Sequence, residues 1–145
     1  MAYSRDGCTR QLYKLGVMPP LDGHENLIAC RIFDSPGADI KLQITRSDKH
    51  IQKGWIHVPW LSPSWSLFSK VQAWKRAGEW PARWNEYEEQ FSREMQSRLA
   101  QAYLKRIVLR LSQGKTVAIG CYCPDQYCHR FIVERLVAEK YRKGD

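Results

Sequence analysis

From Asn26 to Phe33 the apolar residues Leu27, Ile28, Ala29, Cys30, Ile32 and Phe33 follow one another without alternation. That is the pattern of a central parallel strand buried on both faces. Asp34-Ser35-Pro36-Gly37 breaks the run. Asp39 to Thr45 then alternates, with Ile40, Leu42 and Ile44 set against Lys41, Gln43 and Thr45, which predicts an edge or hairpin strand with one wet face. Arg46-Ser47-Asp48-Lys49-His50 forms a polar loop, and Trp55 to Trp60 supplies a short extended piece.

The period then lengthens. Ser62 offers an N-cap oxygen and Pro63 suits the first helical position, so a helix is predicted there, with Trp65, Phe68, Val71 and Trp74 at helical spacing. Asn85 followed by Glu88 has the form of a capping box and opens the longest pattern, Glu86 to Ser112. Its apolar stripe runs through Tyr87, Phe91, Met95, Leu99, Ala102, Ile107 and Leu111, and Gly114 ends it. Thr116 to Cys123 reads as a strand, Pro124-Asp125-Gln126-Tyr127 as a turn, and Ile132, Val133, Leu136 and Val137 place a helix from Cys128 onward. Strand, tight loop and helix follow in immediate succession.

The expected fold class is α/β: a single-domain open Rossmann-like sheet, mostly parallel and flanked by helices, over residues 26–142. Residues 1–25 mix charge, glycine and proline and are expected to form an arm or lead-in; the charged tail from Glu139 is expected to fray. A chain of 145 residues with 43% hydrophobic content supports one core and is too short for two ordinary domains.

Charge narrows the partners. The formal net charge is +8, which favours nucleic acid, nucleotides or other anionic small molecules. Arg93, Arg98, Lys105, Arg106 and Arg110 gather on the second half of the long helical pattern and leave a basic flank for nucleic-acid contact or simple solvation. Six tryptophans lie between Trp55 and Trp84; most are expected to pack, although exposed ones could stack on bases. No secretory leader or long apolar segment is evident, so a cytoplasmic protein without a membrane partner is expected. The five cysteines are odd in number and unevenly spaced, which suits a reducing compartment. Cofactor and oligomeric state are left open.

The candidate chemistry lies in Cys121-x-Cys123-x4-Cys128-His129-Arg130. Cys128 should sit at a helix N-terminus, where free amides and the dipole favour a thiolate of lowered pKa. His129 can move a proton, and Arg130 can grip an oxyanion. Cys128, His129 and Cys123 are therefore the catalytic candidates. Arg130, Arg46 and Asp34 are the anion-binding candidates, Asp34 because it follows a strand's carboxyl end, where it can equally be a turn residue.

The arrangement is similar to the phosphatase and rhodanese cradle, but six residues separate Cys123 from Arg130, one more than the phosphatase pattern has, so that chemistry does not transfer. Cys121 is expected to be a small apolar filler. A Cys123–Cys128 disulfide is a further possibility. The spacing lacks two separated chelating knuckles, and no metal is expected. His50 and His57 stand alone, without ligand spacing.

The string GK-x-V-x-I-x-CYC-x-D-x-x-CHR with its amphipathic helix resembles the family called domain of unknown function 488, including its YeaO-like branch. Ile32-Phe33-Asp34 with Pro36, and Trp60-Leu61-Ser62-Pro63-Ser64 leading to Tyr87 and Phe91, agree in order and distance, so the resemblance covers roughly Leu27 to Val137. It implies an open Rossmann-like α/β domain and no particular reaction. Ser47-Asp48-Lys49-His50 stands where the YeaO-like pattern has Trp-Pro-Arg-Gly. Two functions remain open: an enzyme acting on a nucleotide-like or other anionic substrate at the Cys/His/Arg site, or a non-catalytic module binding nucleic acid or a partner.

Overall fold

Val117–Cys121 forms the most deeply enclosed strand, and every one of its residues is buried. The computed structural model describes residues 26–34 and 36–144; the expected arm at 1–25, and with it Cys8, lies outside them. The strands are β1 (Leu27–Arg31), β2 (Ile40–Gln43), β3 (Ile56–His57) and β4 (Val117–Cys121). They form an all-parallel sheet in the order β1-β4-β2-β3. The helices are α1 (Trp65–Arg76), α2 (Trp84–Glu94), α3 (Arg98–Ser112) and α4 (His129–Lys143). This is the expected single-domain α/β fold.

Because a strand alternates its faces, Val117, Ile119 and Cys121 of β4 point one way and Ala118 and Gly120 the other. The first face joins Leu27, Ala29 and Leu42 in the main core, against Phe91, Leu104, Ile107, Ile132 and Val133 of the helices. The second meets a smaller cluster of Ile28, Cys30, Ile32 and Trp55. Gly120 lies directly under Trp55, where a Cβ would come within 2.8 Å of the indole ring. A side chain there would push the indole off the sheet. Cys121, by contrast, is directed toward the helices.

Several elements differ from expectation. β1 is an edge strand, not a central one; it is still buried on both faces because Trp55, Ala38 and Tyr122 cover its outer side. β2 is interior, although it alternates. Its polar face is closed by the following loop, where the Gln43 amide donates to Thr45 Oγ1 and the His50 carbonyl and accepts from Gln52 N. α1 begins two residues later than predicted, capped by Ser64, whose hydroxyl accepts from Leu67 N. Ser62 turns its own hydroxyl to the Pro59 carbonyl.

The single long helix is two. Asn85 is not its cap, and the chain breaks after Glu94 because Ser97 caps a new helix by accepting from Ala100 N. The break shifts the apolar stripe, so Ala100, Leu104, Ile107, Val108 and Leu111 face the core while Leu99 is exposed. The tail does not fray at Glu139, since α4 continues to Lys143 and ends on Gly144 with positive φ. Among the described residues no helix is long and apolar enough to cross a membrane.

Candidate active site

The carboxyl end of β4, the end of β2 and the start of α4 converge on one point, the usual place for a site in an open parallel sheet. β4 ends at Cys121 and α4 starts at His129 with Cys128 as its N-cap. The intervening loop returns the chain on itself, so that Cys121 Sγ and Cys128 Sγ lie 2.7 Å apart, both buried. The close pair is therefore Cys121–Cys128, and Cys121 is no inert filler.

Arg130 holds this arrangement from behind. Among the described residues it is the largest fully buried side chain, with 0% exposure. Its Nη1 donates to Cys121 Sγ at 3.2 Å and to the Cys123 carbonyl at 2.9 Å, and Nη2 reaches the Asp125 carbonyl at 3.4 Å. Expected at an open anion site, Arg130 instead spends its donors on a thiol and the loop that carries it. The planar fork suits that task, because it can meet acceptors on separate residues at once.

His129 is fixed from the opposite side. Its Nε2 lies 2.6 Å from the Ile44 carbonyl, past the end of β2. A carbonyl only accepts, so Nε2 carries the proton and, in the neutral ring, Nδ1 holds a bare lone pair. Nδ1 lies 3.7 Å from Cys128 Sγ. Burial lowers the imidazole pKa, which keeps the ring a proton acceptor.

These surroundings divide the thiols. Burial alone pushes Cys121 up, but the hydrogen bonds from Cys123 and Cys128, with the positive charge of Arg130, bring it well below the usual range. Cys128 moves the other way, first by burial and then because it hydrogen-bonds to its neighbours as the protonated partner. The Cys121 hydrogen bond and burial likewise push Cys123 up, to about 12. The sequence predicts a lowered pKa at Cys128; the contact of Arg130 with Cys121 Sγ instead favours the negative charge on Cys121, and Cys128 is raised.

The centre opens on one side. A cavity of about 90 Å³ is lined by Cys123, Cys128 and His129 and by Phe68, Trp80, Tyr87 and Tyr127, with Lys75 among its other residues. Cys121 is absent from its walls. Sequence reasoning missed this aromatic enclosure and the part played by Cys121; strand parity, which turns Cys121 toward the helices, was the available signal.

Asp34 and Arg46 do not line this cavity. Asp34 accepts from Arg31 N at 3.0 Å, which makes it a turn residue at the end of β1. Arg46 donates to the Ser62 and Pro63 carbonyls and secures the segment leading into α1. His57 Nε2 is 2.7 Å from the Thr45 carbonyl.

Cys121, Cys128 and His129 also bring their donor atoms within 4.8 Å of one another, the closeness a metal site needs. Tetrahedral zinc, bound near 2.3 Å to each thiolate, would hold two sulfurs roughly 3.7 Å apart. The 2.7 Å separation found here is shorter than that spacing and brings the two sulfurs closer to the length of an S–S bond.

Fold and site define a class: a parallel α/β domain carrying a buried cysteine pair where the central strand meets a helix. The family model described as the active DUF488-N3 subclade matches residues 34–141, and the chain belongs to the DUF488 family. No curated protein and no solved structure matches it.

Proposed function

We propose that this protein is a cysteine-dependent enzyme acting on a small anionic group at the Cys121/Cys128/His129/Arg130 centre. The observation that carries this reading is the placement of Cys128 Sγ between Cys121 Sγ at 2.7 Å and His129 Nδ1 at 3.7 Å, in a residue that lines the cavity. A nucleophile within reach of a base, whose other nitrogen is held by a third group, is the general form of an activated thiol. Cys128 is the attacking sulfur; its proton passes to His129 Nδ1. Arg130 acts as a positioning residue that keeps the negative charge in place. The description of the matched subclade as active agrees with this reading.

The cavity of about 90 Å³ has room for a small group, since one water needs about 10–15 Å³ of such space. A nucleotide would leave its base outside. Lys75 is the cation available to an anionic group entering there. A second reading, a nucleic-acid-binding module, is favoured by the exposure of Arg98, Lys105, Arg106 and Arg110 along α3.

Alkylation tests the enzyme reading. Iodoacetate, an anion, is expected to modify Cys128 of the folded protein several-fold faster than neutral iodoacetamide, and Lys75→Ala should remove that preference. Peptide mapping by mass spectrometry identifies the thiol. A Cys128 that reacts only after denaturation contradicts the proposal.

A further inference from the structure

The two central sulfurs differ in one respect the proposed function leaves unused: Cys128 faces the cavity, whereas Cys121 is sealed behind it, 2.7 Å away. A lone nucleophile for acyl or phosphoryl transfer has no need of a second thiol in contact with the first. Such contact matters when the first sulfur becomes electrophilic, because a thiolate can then attack it at once. The pair has to close by less than about 1 Å to reach the length of an S–S bond.

Resting on the reading of Cys128 as nucleophile, we propose that Cys121 is its resolving cysteine, and that the enzyme reduces small donors of a single oxygen or sulfur atom through a Cys121–Cys128 disulfide. Write the donor as X–Y, where X is the outer oxygen of a peroxide or the sulfane sulfur of a thiosulfonate. Cys128 gives its proton to His129 Nδ1 and attacks X as the thiolate, the X–Y bond breaks, and Y leaves with the electron pair; that proton passes on to the departing hydroxide or to the sulfane sulfur, and Cys121 stays a thiolate. Cys128 now carries S–X. The Cys121 thiolate attacks Cys128 Sγ, the S–X bond breaks, and X departs as hydroxide or hydrosulfide. The thiol pair has given two electrons to the donor and become a disulfide. An external dithiol of the dithiothreitol class restores both thiols and closes the cycle.

The geometry also assigns Cys123 by exclusion. It lines the cavity, but Arg130 contacts its carbonyl rather than its sulfur, and the sulfur at 2.7 Å from Cys128 Sγ is that of Cys121. Cys123 should be dispensable for the disulfide. Arg130, by contrast, contacts the sulfur of the resolving residue directly.

The test uses the full chain with hydrogen peroxide and, separately, inorganic thiosulfate. Wild type treated with peroxide should yield a Cys121–Cys128 disulfide in peptide maps, reversed by dithiothreitol. Cys121→Ser should stop at a Cys128 sulfenic acid trapped by dimedone, Cys128→Ser should give neither product, and Cys123→Ser should still form the disulfide. With dithiothreitol present, wild type should consume at least one of the two donors at least tenfold faster than Cys128→Ser; which one distinguishes oxygen from sulfur transfer.

A sulfenic acid that accumulates in wild type without disulfide, a Cys123–Cys128 linkage instead, or no consumption of either donor above Cys128→Ser overturns the inference. If Cys121→Ser fails to fold, the wild-type map alone decides. The two proposals fail separately. Cys128 that alkylates in the folded protein but never links to Cys121 leaves the thiol enzyme and removes only the resolving step; Cys128 that does not react at all removes both.

Discussion

Arg130→Ala should cost the fold about 3–5 kcal/mol, the range for removing one partner of a buried charged pair. The guanidinium is wholly enclosed, bonds to Cys121 Sγ and the Cys123 and Asp125 carbonyls, and stands 4.6 Å over the Phe131 ring. Truncation leaves a buried thiolate without its cation, loop carbonyls without a donor and a hole in the core. Each is costly alone. Arg130→Lys should recover only part of the loss, because a compact ammonium cannot span the same acceptors. Urea unfolding followed by tryptophan fluorescence measures both variants. A loss below about 1 kcal/mol for the alanine variant, the worth of an ordinary exposed contact, would show that Arg130 does not hold the centre.

The second large effect is expected away from the sulfurs. Phe91 is fully buried, stacks on Tyr87 at 6.0 Å between ring centroids and meets His129 edge-on at 5.5 Å. Phe91→Ala should destabilise the protein by about 3–5 kcal/mol through lost burial and the cavity left behind. It should also loosen the imidazole, whose orientation otherwise rests on the Ile44 carbonyl. Alkylation of Cys128 in the folded variant should then change with the stability, measured on one sample by denaturant titration and peptide mapping. Unchanged reactivity in a destabilised variant would separate the packing from the site.

The cysteine motif and the strand-loop-helix around it were legible because short motifs and periodicities are local. Cys128 falls at the predicted helix start and β4 where its β-branched run placed it. What the sequence hid depends on contacts between distant segments. The alternation of β2 resembles that of an edge strand, yet Gln43 is buried because a loop returns to satisfy its amide. Ser97 is an unremarkable residue in a continuous helical stripe until its hydroxyl caps α3. Arg130 carries the same local signal whether it faces solvent or lies under the loop. Its role depends on Cys121, nine residues earlier.

The division of charge among the sulfurs is the central claim, and titrating ultraviolet thiolate absorbance against pH in wild type and Cys121→Ser tests it most directly. Cys121, lowered in the folded state, contributes stability above the ordinary thiol pKa of about 8.5, and that contribution is lost as pH falls through its folded value. Cys123 and Cys128, both raised, have the opposite sign: their contribution is present below the ordinary value and lost as pH rises through the folded ones. Wild type should therefore show a thiolate step well below the ordinary range, and Cys121→Ser should lack it. A wild-type curve with no such step, or one that Cys121→Ser leaves in place, would contradict the assignment.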